Sequence, residues 1–200
     1  MKSFEDEVDT PALRTREGRG AHAFGDEALI RASRRGRVEI VKMLLAVRTH
    51  EGRDAGVDVH AFGDEALRWA SERGYAEVVQ SLIKSGADVR CNHDEALRRA
   101  AEKGYTEVVK VLVNSGADVH VLDDEPLRRA AENGHVNVVK TLLDSGADVH
   151  AVNDGALRWV IRKGVNEVAQ LLKEAVAKNK SSSCLRGKRH EHQSAIDRRF

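Results

Sequence analysis

Histidine recurs in this 200-residue chain at positions that invite a metal reading. His22, His60, His120 and His150 stand at equivalent places in similar stretches, and Arg90 takes the place of a further member. Zinc needs its ligand nitrogens within about 2.1 Å. Helical units packed side by side stand roughly 8–10 Å apart, so one histidine per unit cannot share an ion, and Arg90 would repel it. Hydrogen bonding inside the connecting loops is the expected role. Cys184, His190 and His192 form a second set, which lacks a fourth ligand.

Nucleophiles fare no better. Ser85, Ser115 and Ser145 each precede a glycine in successive units, the behaviour of a structural position. Asp64, Asp94, Asp124 and Asp154 repeat in the same way and are expected to cap helix N-termini. Neither a Gly-rich phosphate loop nor an H-E-x-x-H pair occurs. The expectation is a non-enzyme with no catalytic residue, no metal and no cofactor.

The elements that position these residues form an internal repeat. The segment GADV or its variant begins at Gly56, Gly86, Gly116 and Gly146, 30 residues apart, and DEALRxA or a variant begins at Asp26, Asp64, Asp94, Asp124 and Asp154. The first interval of the second series is 38 residues, and the excess falls on a polar insertion, Arg48 to Ala55. In the third unit Ala96, Leu97, Ala100 and Ala101 make an apolar stripe at helical spacing, and Gly104 ends it. Val108, Val109, Leu112 and Val113 make a second stripe, closed by Gly116 at a C′ position. Each helix is under three turns and is marginal alone. Stability must come from stacking, so the expected fold is an all-α solenoid of about five helix-turn-helix units.

Composition agrees. Lys+Arg (33) and Asp+Glu (32) nearly cancel, which removes the single-sign field of a nucleic-acid binder. Aromatics at 4% are few for an enzyme interior. Two unpaired cysteines, Cys91 and Cys184, fit a reducing compartment. The N-terminus lacks an apolar signal segment and no stretch is apolar enough to span a bilayer. A soluble, intracellular, cytoplasmic monomer is expected. Residues 1–21 read as a frayed or disordered lead-in, 22–178 as the repeat domain, and 179–200 as a disordered basic tail. Within the domain the units run at about 26–63, 64–93, 94–123, 124–153 and 154–178.

These residues resemble the ankyrin repeat. Its T-P-L-H-x-A-A, G-H, V-V-x-x-L-L and G-A-D-V elements correspond in the fourth unit to Pro126, Leu127, Ala130, Ala131, Gly134, His135, Val138, Val139, Leu142, Leu143 and Gly146 to Val149. The likeness spans roughly His22 to Lys178. It implies antiparallel helix pairs with loops to one side, and a role in binding other proteins. The family period is about 33 residues, and the shortfall here lies in the projecting hairpin, replaced by links such as Cys91 to His93 and Val121 to Asp123. The short period is similar to ankyrin arrays of large DNA viruses, whose setting would be the host cell. The family's Thr and His give way to Glu65, Glu95 and Glu125 and to Arg68, Arg98 and Arg128, and an i,i+3 ion pair is expected in their place.

The resemblance also turns one inner-helix position per unit toward a concave groove: Arg31, Trp69, Arg99, Arg129 and Trp159. Arg34, Arg35, Arg73, Lys103, Arg162 and Lys163 lie near by at helix ends. Trp and Arg are enriched at interface hot spots. The resulting expectation is a scaffold whose partner-binding residues are Arg31, Trp69, Arg73, Arg99, Lys103, Arg129, Trp159 and Arg162. Its partner would be a protein segment of acidic or mixed charge, with nucleic acid not expected. Glu95 and Glu125, each four residues before an arginine, and the Arg98–Glu102 spacing would neutralise the central cations, while Arg31, Arg34, Arg35, Arg158, Arg162 and Lys163 at the ends are less compensated. The alternative is an adaptor whose basic tail supplies a localisation signal, with nuclear entry, or a nucleic-acid contact.

Overall fold

A computed structural model of the chain describes residues 22–46 and 57–177, with side chains throughout except at His22, Ala23 and residues 152–154. The lead-in, the insertion Arg48 to Ala55 and the tail with Cys184, His190 and His192 lie outside the described residues.

Helices alternate inner and outer along the chain: α1 (His22–Arg34), α2 (Val38–Ala46), α3 (Ala61–Arg73), α4 (Ala76–Lys84), α5 (Cys91–Lys103), α6 (Thr106–Asn114), α7 (Val121–Glu132), α8 (Val136–Asp144) and α9 (Ala151–Lys163). A tenth, α10, covers 166–177. They make five antiparallel pairs, and among the described residues there is no strand. The inner helices α1, α3, α5, α7 and α9 pack in sequence order, as do the outer helices α2, α4, α6 and α8. The fold is the expected all-α solenoid of five helix-turn-helix repeats.

The period places like residues in register through one continuous core. Leu67, Leu97 and Leu127 bury fully on the inner helices, and Leu82, Leu112, Leu142 and Leu172 on the outer ones. Alanines at 70, 100 and 130, all at 0% exposure, keep the inner helices close. A second register locks the turns. Gly104 adopts φ +82, and a Cβ there would stand 2.5 Å from Nδ1 of His135, one repeat on. Tyr105 covers Gly74 in the same manner. The glycine is required twice, by its backbone angle and by the ring laid over it.

The linkers depart from expectation. Phe62, Gly63 and Asp64, then Asn92, His93 and Asp94, then Leu122, Asp123 and Asp124 are each three consecutive left-handed residues at the start of an inner helix. Asp64, Asp94 and Asp124 are buried and do not cap their own helices as expected. Their Oδ1 atoms instead accept the backbone N–H of Asp88 (2.9 Å), Asp118 (2.9 Å) and Asp148 (2.7 Å) at the entry to the following linker. Asp26 accepts from Asp58 across the insertion at 2.8 Å. With the hairpin shortened, the orphan N–H groups of one linker find acceptors in the preceding one. The aspartate therefore ties each linker to the one that follows.

Candidate partner-binding groove

The groove positions sit one per inner helix, at the same register on α1, α3, α5, α7 and α9, and the centre and the ends differ. In the centre, Arg99 pairs with Glu95 of its own helix at 3.2 Å. Arg129 pairs with Glu125 at 2.7 Å and reaches back to Glu102 on α5 at 2.6 Å. Arg98 pairs forward with Glu125 on α7. Glu125, buried, thus holds two guanidiniums from two repeats. Burial alone would raise its pKa, but Arg129 and Arg98 outweigh that and hold it below the usual carboxylate value. Burial likewise opposes the charge of Arg129, and Glu125 and Glu102 raise its pKa.

The expected i,i+3 pair forms between Arg68 and Glu65 (2.9 Å) and loosely between Arg128 and Glu125 (3.8 Å). At Arg98 it does not form, because Glu125 of the next repeat offers a more buried partner. For the same reason Glu102 bonds Arg129 rather than Arg98. These bridges between repeats span 27 residues; sequence spacing within a helix could not reveal them, although the 30-residue period sets the facing positions.

At the N-terminal end Trp69 is half-buried and its Nε1 donates to Glu65 at 2.9 Å. Three guanidiniums surround its ring: Arg34 at 4.6 Å from the centroid, Arg68 at 5.0 Å and Arg73 at 5.9 Å. Arg34 comes from the preceding repeat, so the indole is shared across the α1–α3 contact. Arg31 was expected to be poorly compensated, yet it pairs with Glu27 at 2.6 Å. Arg34, Arg35 and Arg73 are exposed and make no ion pair among the described residues. At the other end Trp159 packs on the core, with Lys163 Nζ 5.7 Å from its ring. Arg158, Arg162 and Lys163, and Lys103 nearer the middle, are exposed and make no ion pair among the described residues. Of the expected site residues, the structure joins Trp69 to Arg73 and gives Arg31, Arg99 and Arg129 acid partners.

The histidine positions act as loop elements. His60 and His120 place Nδ1 3.2 Å from Asp64 and Asp124. Arg90 donates from Nε to the Gly116 carbonyl at 2.9 Å. Among the described residues no three His, Cys, Asp or Glu side chains are grouped to hold a metal ion. Ser115 and Ser145 donate to carbonyls of their own helices, at 2.7 and 2.8 Å. Burial, then the charge of Asp64, pushes the Cys91 thiol up, away from the thiolate.

No curated protein sequence matched the chain. The family model described as ankyrin repeats (3 copies) matches residues 13–93 and again 67–153. The match begins inside the expected lead-in, ends at the start of the fifth helix pair, and covers well over half of the sequence. Matched residues and stacked helix pairs agree, and the chain belongs to the ankyrin-repeat family.

Proposed function

We propose that the protein is a non-enzymatic scaffold that holds an acidic segment of a partner protein in the concave groove, gripping it at the two ends. Ankyrin repeats serve generally as protein–protein interaction modules, which supplies the coarse reading. The observation that supports the finer one is the contrast in pairing. Arg98, Arg99, Arg128 and Arg129 are each within reach of a glutamate, whereas Arg34, Arg73, Arg162 and Lys163 are exposed without one. The partly exposed pairs Arg99–Glu95 and Arg129–Glu102 contribute only about 0.2–1 kcal/mol each, but with the bridges to buried Glu125 they cancel the field a ligand would feel. Unpaired cations beside Trp69 and Trp159 keep theirs, and a partner carboxylate meets a guanidinium at Trp69 and an ammonium at Trp159, each beside an indole ring. The scaffold acts as a monomer within the cell. Among the described residues no helix is long and apolar enough to cross a membrane.

The test is the double substitution Trp69→Ala, Trp159→Ala, followed by both chemical unfolding and capture of a labelled oligo-glutamate peptide. A folded variant with binding weakened by about 2 kcal/mol or more, the size of an interface hot spot, supports the groove. Full capture by a folded variant contradicts it.

A further inference from the structure

The linkers form a second surface, at the opposite end of the inner helices from the turns at Gly74 and Gly104. Phe24, Phe62 and Leu122 stand two residues before Asp26, Asp64 and Asp124, so they occupy one register position in three repeats. They are 70, 65 and 51% exposed. Single exposed apolar side chains are ordinary, but a row of large ones at one register is a mark of interaction surfaces. In the third repeat the position is Asn92, whose Nδ2 donates to the Gly63 carbonyl at 3.4 Å and ties adjacent linkers into one ledge. Phe62 and Leu122 hold left-handed backbone, φ +54 and +50, which bulky residues adopt rarely.

Charge lines the same ledge. Asp58, Asp88, Asp118 and Asp148 are exposed, one per repeat. Each uses Oδ1 to accept the N–H two residues on, at 2.8 to 2.9 Å, and no described residue bonds its second oxygen. Exposed Asp123 adds to the negative field, and among the described residues the arginine on the ledge, Arg90, is directed onto the Gly116 carbonyl.

We propose that this ledge binds a polyproline-type segment of another protein in which each triplet carries one apolar and one basic residue. Stacked repeats advance roughly 8–10 Å. A polyproline helix returns to the same face every three residues, about 9 Å. An extended β-strand returns every two residues, about 6.6 Å, and loses register after one repeat. The polyproline spacing sets an apolar side chain beside Phe24, Phe62 and Leu122 and a cation beside each exposed aspartate. The surface is separate from the groove of Trp69 and Trp159 and makes a different demand on its ligand.

The probe is a fluorescein-labelled (Leu-Pro-Lys)n peptide, with the uncharged (Leu-Pro-Gln)n as its control because an acidic control would bind the groove, titrated by anisotropy into the full chain. The lysine peptide binds saturably and the glutamine peptide does not. Phe62→Ser with Leu122→Gly weakens binding about tenfold, whereas Trp69→Ala leaves it unchanged. Leu122→Gly alone separates binding from folding, since glycine relieves the left-handed backbone: its denaturation midpoint rises while its affinity falls. Equal binding of the two peptides, or unchanged affinity in folded Phe62 and Leu122 variants, overturns the proposal.

Discussion

Arg129 on α7 donates from Nη1 to Oε2 of Glu102 on α5 across 2.6 Å, so the centre of the groove is neutralised between repeats as well as within them. The pair belongs to a chain that continues through Glu125 to Arg98. Members of such a network are not independent. A double-mutant cycle on Glu102→Gln and Arg129→Gln should return a coupling of about 0.2–1 kcal/mol in urea melts, since both side chains are partly exposed. A coupling of zero would show that the bridge closes the gap without stabilising the stack.

Acid should act on the same network through Glu125. Its pKa in the fold lies below the ordinary value of 4.5, because Arg129 and Arg98 prevail over burial. A depressed carboxylate stabilises the fold fully above its unfolded value, and that contribution is lost as pH falls through the folded one. The stability difference between the native chain and Glu125→Gln should therefore shrink as the pH drops below 4.5. Asp94 has the opposite sign: burial raises its pKa from 3.8, so its ionisation costs stability as pH rises from that value through the folded one. A Glu125→Gln difference that stays constant into acid would contradict the assignment.

Stacking energetics rest on the leucine register. Leu97 is fully buried between α3 and α7 neighbours. Leu97→Ala should cost about 2–5 kcal/mol by leaving a cavity between repeats, read as a lowered denaturation midpoint. A cost under about 1 kcal/mol would mean the interface can collapse around the gap.

Ser33 and Ser71 run the other way. Both hydroxyls are buried without a hydrogen-bond partner, and the same position holds Ala101 and Ala131 in the next repeats. Burying an unpartnered hydroxyl costs roughly 1–3 kcal/mol. Ser71→Ala should therefore raise the unfolding midpoint. A fall would show that the hydroxyl has a partner in solution.

Much of this was legible in the sequence because the repeat is regular: period, helix pairs and the leucine and valine stripes follow from spacing alone. The indole positions and the weaker compensation of the terminal cations could be read the same way. Two features could not. The aspartate at each helix start looks like an N-cap by type, and only the stacked linkers show that Asp94 serves Asp118 at the entry to the following linker. Arg98 to Glu125 depends on which rotamers face across the gap, and an i,i+4 rule sends Arg98 to Glu102 instead. Arg31 joins Glu27 at an i,i+4 spacing that the sequence does show.

The central claim, that an acidic partner is held by the ends of the groove and not its middle, is tested most directly by comparing two variants of equal fold. One replaces terminal cations, Arg34→Gln, Arg73→Gln and Arg162→Gln; the other removes a neutral central pair, Glu95→Gln and Arg99→Gln. Affinity for a labelled oligo-glutamate peptide is measured for each against the native chain. The account predicts a loss of about tenfold or more for the terminal variant and little change for the central one. Loss on removing the central pair, with the terminal variant binding normally, would contradict it.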